Sequence, residues 1–151
     1  MEPDDLRDQV QMLQQTIARL LDGWTLVVCS SHPRVRDTAA LLLPDLHISA
    51  ESTAECLALA LPSEGRLLVL CDDDGSDGGA VELIELMRQR HGAERCRFLL
   101  CLDAEIAAAR LVRLWQLRPD GISCREHCGS GRLLQGVAVL LRNGRYEDPD
   151  L

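Results

Sequence analysis

Apolar residues recur along this chain in two different rhythms. In the first stretch they fall at Leu6, Val10, Leu13, Ile17, Leu20 and Trp24, with spacings that alternate between four and three, the seam of an amphipathic or coiled-coil helix. Pro3 suits the first helical turn, Asp4 and Asp5 suit its positive end, and Gly23 provides a stop. A helix of about 18 residues spans about 27 Å and is marginal on its own, so the stripe needs something to cover it. Its own domain could do so, but the favoured expectation is a second copy or a partner helix, with Leu6, Val10, Leu13, Ile17 and Leu20 as the interaction seam.

From residue 24 onward, short apolar runs alternate with helical patterns. The runs predict strands near 25–30, 46–49, 67–71, 97–102 and 121–124, and helices near 33–43, 52–60, 79–90, 104–117 and 130–142. Such alternation argues for an α/β fold, a doubly wound five-stranded parallel sheet with helices on both faces. The expected strand order is 2-1-3-4-5, with any site at the carboxyl ends of strands one, three and four. The chain thus divides into an extra N-terminal helix, residues 1–23, and an α/β domain, residues 24–151.

Composition narrows the function classes. A chain of 151 residues with 46% apolar content suits one domain with a real core. No apolar run reaches the roughly 18 residues that span a bilayer, and the acidic start lacks signal-peptide character, so a soluble, cytoplasmic protein with no membrane partner is expected. The formal net charge of −8 argues against nucleic-acid binding, because phosphate contacts need a basic surface. Seven cysteines, an odd number without regular spacing, fit a reducing compartment better than a disulfide framework.

Four segments carry a resemblance. Val27-Val28-Cys29-Ser30-Ser31-His32-Pro33-Arg34-Val35-Arg36-Asp37 resembles the first strand and turn of a response-regulator receiver domain of the LuxR-type subfamily, in the CheY-like superfamily. Leu67-Leu68-Val69-Leu70-Cys71-Asp72-Asp73-Asp74-Gly75-Ser76-Asp77-Gly78-Gly79-Ala80-Val81-Glu82-Leu83 resembles the third strand, the phosphoacceptor loop and the next helix. Asp120-Gly121-Ile122-Ser123-Cys124-Arg125-Glu126 resembles the fifth strand. Residues 133–149, ending Gly144-Arg145-Tyr146-Glu147-Asp148-Pro149, resemble the last receiver helix and the start of the subfamily's linker. The resemblance implies a flavodoxin-like fold, and the expectation here is a receiver without the DNA-binding output domain that such regulators carry after that linker.

At the chemistry, the resemblance thins. Receivers hold Mg²⁺ through two acids after the first strand, and Ser30 and Ser31 stand in their place; hydroxyls carry no charge to replace those carboxylates. Matching Gly79 to the family's loop glycine puts the phosphoacceptor position on Cys71, the favoured alignment, while deleting one loop residue puts it on Asp72. Arg125 takes the place of the active-site lysine without its compact geometry, Ile122 that of the switch aromatic, and Asp103 that of the Ser or Thr that contacts the phosphoryl group.

Several readings stay open beside this one. Asp72, Asp73, Asp74 and Asp77 could hold a cation, but a solvated loop opening a helix is the favoured reading. Cys29, Cys71, Cys101 and Cys124 lie near strand ends and could converge as a soft-metal or redox site, but packing is the favoured role. Cys124, His127 and Cys128 lack the second half of a zinc site, so no metal or cofactor is expected, Mg²⁺ included. His32 before Pro33 reads as a helix start, and Leu111 and Trp115 as candidates for a partner face within residues 104–142. The expected function is that of a degenerate, or pseudo-, receiver. It would be a phosphorylation-independent signalling module without catalytic residues that acts by protein–protein interaction, as a homodimer or with a signalling partner. The alternatives are a phosphorelay receiver using Asp72 and a thiol redox sensor centred on Cys71.

Overall fold

A computed structural model describes residues 3–43, 45–73, 79–102, 105–124 and 132–147. Helix α1 (Pro3–Leu20) precedes β1 (Trp24–Cys29), α2 (Pro33–Leu42), β2 (Ile48–Ala50), α3 (Thr53–Leu57) and β3 (Arg66–Asp72). Then come α4 (Ala80–His91), β4 (Cys96–Leu102), α5 (Ala108–Gln116), β5 (Gly121–Cys124), α6 (Arg132–Asn143) and β6 (Tyr146–Glu147). The strands form one parallel sheet in the order β2-β1-β3-β4-β5-β6. Its first five strands have the expected order 2-1-3-4-5.

Strand alternation splits the core into two layers. Val27, Val69, Cys71, Phe98, Leu100 and Ile122 face α3, α4 and α5, where Cys56, Ile84, Met87 and Leu114 pack. Leu26, Val28, Leu68, Leu70, Leu99 and Cys101 face the other side, against α1, α2 and α6. Strands covered on both faces are near-continuous apolar runs, which is why Leu67-Leu68-Val69-Leu70 reads as a strand without polar alternation.

The structure corrects the seam reading of α1. Ile17 is fully buried, and Val10, Leu13 and Leu20 pack against the α2/α6 layer; the Leu6 side chain lies outside the described part. Helix α1 lies along α6, and Gln14 Nε2 donates to the carbonyl of Leu42 at the end of α2. The stripe is therefore covered by this chain's own domain, because α2 and α6 leave an apolar trough that these side chains fill. Gly23, at φ +80, turns the chain out of α1 into β1, and its carbonyl accepts the Arg66 N–H at 2.9 Å. A Cβ on Gly65 would stand 2.9 Å from that same carbonyl, so the close approach there requires glycine.

The third predicted helix shrinks to five residues, and the structure adds a sixth strand that no apolar run announces. Tyr146 pairs with Gly121 at the β5 edge, and its ring lies over Gly136, where a Cβ would come within 3.0 Å of it.

If α1 belongs to the core, Ile17→Ala is expected to lower unfolding stability by about 2–5 kcal/mol, and Met12→Ala by less than about 0.5 kcal/mol. Urea denaturation of the two variants checks this. A chain in which Ile17→Ala changes only the mass in light scattering would return α1 to the role of an association seam.

Candidate functional site

The carboxyl ends of β1 and β3 meet in register, with Cys29 opposite Cys71, so the next residues, Ser30 and Asp72, are neighbours. Ser30 Oγ donates to Asp72 Oδ2 at 3.1 Å and accepts the His32 N–H at 3.0 Å. His32 in turn caps α2, its Nδ1 accepting the Arg34 N–H at 3.2 Å with Pro33 in the first turn, in keeping with its place before a proline. A cavity of about 140 Å³ opens here, floored by Cys29, Cys71 and Leu83 and rimmed by Ser31, Thr53 and Asp72. Of the two candidates for the phosphoacceptor place, Asp72 carries the group that reaches the Ser30 hydroxyl. The Cys71 thiol is packed in the α3/α4/α5 layer, 1% exposed.

One residue further, Asp73 turns inward. Its N–H donates to the Cys101 carbonyl at 3.2 Å, and its carboxylate meets Arg110 of α5 in a fork, Nη2 to Oδ1 at 2.6 Å and Nε to Oδ2 at 3.1 Å. The Arg110 and Asp73 side chains are 16% and 2% exposed, so this is a buried, bidentate pair of the strong charge-assisted kind. Sequence reasoning missed Arg110. The signal was present: Arg110, Leu111, Leu114 and Leu117 share the spacing of the inward stripe of α5, and a cation on a buried stripe needs a buried anion.

The cysteines divide by face. Cys29, Cys56, Cys71 and Cys96 lie in the α3/α4/α5 layer, whereas Cys101 lies in the other. Cys124 is also buried, so the four thiols named from strand ends do not converge. Cys56, which carries no motif, joins Cys29 and Cys71 instead. A hydrogen bond between the Cys29 and Cys56 side chains holds Cys29 up and draws Cys56 down, while burial pushes Cys71 up. Among the described residues no group of three or more His, Cys, Asp or Glu side chains is arranged to hold a metal ion.

The remaining candidates are scattered. Ile122 is buried, and Leu111 packs against the same apolar layer, which corrects its reading as a partner-facing residue. Trp115 stays on the outer face of α5, 38% exposed, with the Arg145 guanidinium 5.9 Å from its ring centre. Asp74, Asp77, Asp103, Arg125, His127 and Cys128 lie outside the described residues.

No protein-family profile matches the chain, and no curated protein sequence matches it. Solved structures do. A two-component response regulator of the LuxR family from Aurantimonas sp. SI85-9A1 aligns with TM-score 0.63 and 21% identity, over 83% of this chain and 90% of that one. The non-phosphorylated receiver domain of the stress response regulator RcsB from Escherichia coli aligns with TM-score 0.58 and 15% identity, over 83% and 98%. The response regulator DrrB, a Thermotoga maritima OmpR/PhoB homolog, aligns with TM-score 0.64 and 12% identity over 81% of this chain and 54% of its own. These likenesses establish the fold: the flavodoxin-like parallel sheet of receiver domains.

The buried pair makes a prediction. Arg110→Met removes the bidentate counter-charge of the buried Asp73 carboxylate and is expected to cost about 3–5 kcal/mol, whereas Arg110→Met combined with Asp73→Leu recovers most of the loss. Denaturant titrations of the single and double variants check it: a single variant near wild type would show that the Asp73 carboxylate does not depend on Arg110 for its counter-charge.

Proposed function

We propose that this chain is a pseudo-receiver, a phosphorylation-independent module of two-component signalling that is not an enzyme and acts by binding protein. The observation that carries the reading is the Arg110–Asp73 fork beside Ser30–Asp72. The strand-end carboxylates take counter-charge and hydrogen bonds from within the chain, where a receiver would use an acid pair and Mg²⁺. At a net charge of −8, protein rather than nucleic acid is the favoured partner. No described helix is long and apolar enough to cross a membrane, and the proposed place of action is the cytoplasm, where buried free thiols stay reduced.

A second reading is favoured by one specific observation. Asp72 is partly exposed at the rim of the cavity, the position from which a carboxylate could accept a phosphoryl group. A redox role centred on Cys71 has less support, because burial holds that thiol up and away from the reactive thiolate.

The proposed partner face is the outer side of α5, where Val112 is 56% exposed beside Trp115, with a second copy of the chain as the partner. Exposed aromatic residues such as Trp115 are the usual anchors of such contacts, with apolar neighbours that exclude water around them.

Two measurements test these readings. Incubation with acetyl phosphate and Mg²⁺, read by intact mass, is expected to give no adduct, and calorimetry with millimolar Mg²⁺ no saturable heat. A phosphoryl increment that Asp72→Asn abolishes would establish the second reading instead. In light scattering the intact chain is expected at dimer mass and Val112→Asp at monomer mass; a monomeric intact chain would overturn self-association through this face.

A further inference from the structure

We propose that Cys29 and Cys56 form a reversible disulfide, an oxidation site at the floor of the strand-end cavity. The inference goes beyond the pseudo-receiver reading and is independent of whether Asp72 accepts a phosphoryl group.

The geometry begins at one carbonyl. Ser52 caps α3 through its side chain, which accepts the Glu55 N–H at 3.1 Å, and its backbone oxygen accepts the Cys56 N–H at 2.9 Å. That same oxygen lies 3.4 Å from Cys29 Sγ. Both cysteines thus meet at a single atom, one at the end of β1 through its thiol and the other in α3 through its backbone N–H, and both side chains are buried in the same apolar layer. Forming the bond needs the two sulfurs to close to about 2.05 Å with Cα atoms about 4.4–6.8 Å apart.

One of the two elements can make that adjustment. Helix α3 has five residues and is followed by residues 58–65 without regular structure, so it belongs to the class of short elements that open locally at low cost. Cys71 has no such freedom: it sits in the central strand β3, paired on both sides, with β1 and with β4. Access comes from the cavity. Cys29 is 5% exposed and lines it, whereas Cys56 is 1% exposed and does not.

The oxidant of this chemistry is a small hydroperoxide. One sulfur of the pair, as thiolate, attacks a peroxide oxygen; the S–O bond forms, the O–O bond breaks, and the leaving hydroxide takes up a proton to become water. The second sulfur then attacks the sulfenic sulfur, the S–S bond forms, the S–O bond breaks, and the hydroxyl leaves as a second water with the proton of the second thiol. Two thiols lose two electrons and two protons, and hydrogen peroxide yields two waters. A dithiol reductant reverses the net change.

The test uses the full chain. Reduced protein is treated with hydrogen peroxide at neutral pH, remaining thiols are blocked, and intact mass and digest mapping are read. The expected result is a loss of about 2 Da, two hydrogens, with a single linked pair of peptides carrying Cys29 and Cys56, reversed by dithiothreitol. Cys29→Ser and Cys56→Ser each abolish it, while Cys71→Ala and Cys101→Ala retain it. Mapping on the unaltered chain does not depend on any variant folding. Linkage to another cysteine, or no mass loss under conditions that fully oxidise glutathione, overturns the proposal. The readout is a loss of mass, whereas failure of the pseudo-receiver reading appears as a phosphoryl gain, so the two are separable.

Discussion

A parallel sheet has two faces to keep from water, and almost everything else in this molecule answers to that constraint. In β3 and β4, successive side chains are buried alternately in opposite layers, so neither layer can be thin or incomplete without exposing a strand. On one side α3, α4 and α5 supply the cover. On the other, α2 and α6 share the work with α1, whose Ile17 is as deeply buried as the strand residues beneath it. The N-terminal helix is therefore part of the fold's closure, and its apolar stripe is explained without a second molecule.

The same constraint confines polar chemistry to the strand ends. Residues within the central strands are buried on both sides, so a carboxylate is tolerated only where the strand stops, and only with a partner. Asp72 finds the Ser30 hydroxyl, and Asp73, one residue deeper into the turn, finds the Arg110 fork. Neutral hydroxyls at 30 and 31 are consistent with this arrangement, because a further pair of carboxylates beside Asp72 would add like charges where Arg110 is already engaged by Asp73.

Much of this was legible in the sequence. The near-continuous apolar runs placed the strands, and the punctuation by Gly23, His32 and Pro33 placed the end of α1 and the start of α2 within about three residues. What was not legible depends on tertiary proximity. The heptad-like spacing of α1 states that a stripe exists but not what covers it, since a coiled-coil partner and an intramolecular trough ask for the same residues. Cys56 sits in a five-residue helix with no pattern of its own and gains meaning only from Cys29 across the layer. Strand β6 contributes two residues, too few for any periodicity, and owes its place to Tyr146 finding the space above Gly136. Arg110 was the exception: its position on the inward stripe of α5 signalled a buried anion, although not which one.

Helix α5 joins these two regions of the molecule. It is nine residues long, and while Arg110 points inward to Asp73, Val112 and Trp115 stand on its outer side. Arg110 and the exposed Val112 and Trp115 are carried by the same short helix, so a displacement of α5 changes the distance from the Arg110 backbone to Asp73. A bidentate fork resists such a shift in direction as well as distance, because both N–H···O contacts must be kept in line. Anything that docks on Val112 and Trp115 therefore either accepts α5 where the fork holds it or works against a buried ion pair. The outer surface and the strand-end site share one helix, α5, whose Arg110 supplies the counter-charge of Asp73.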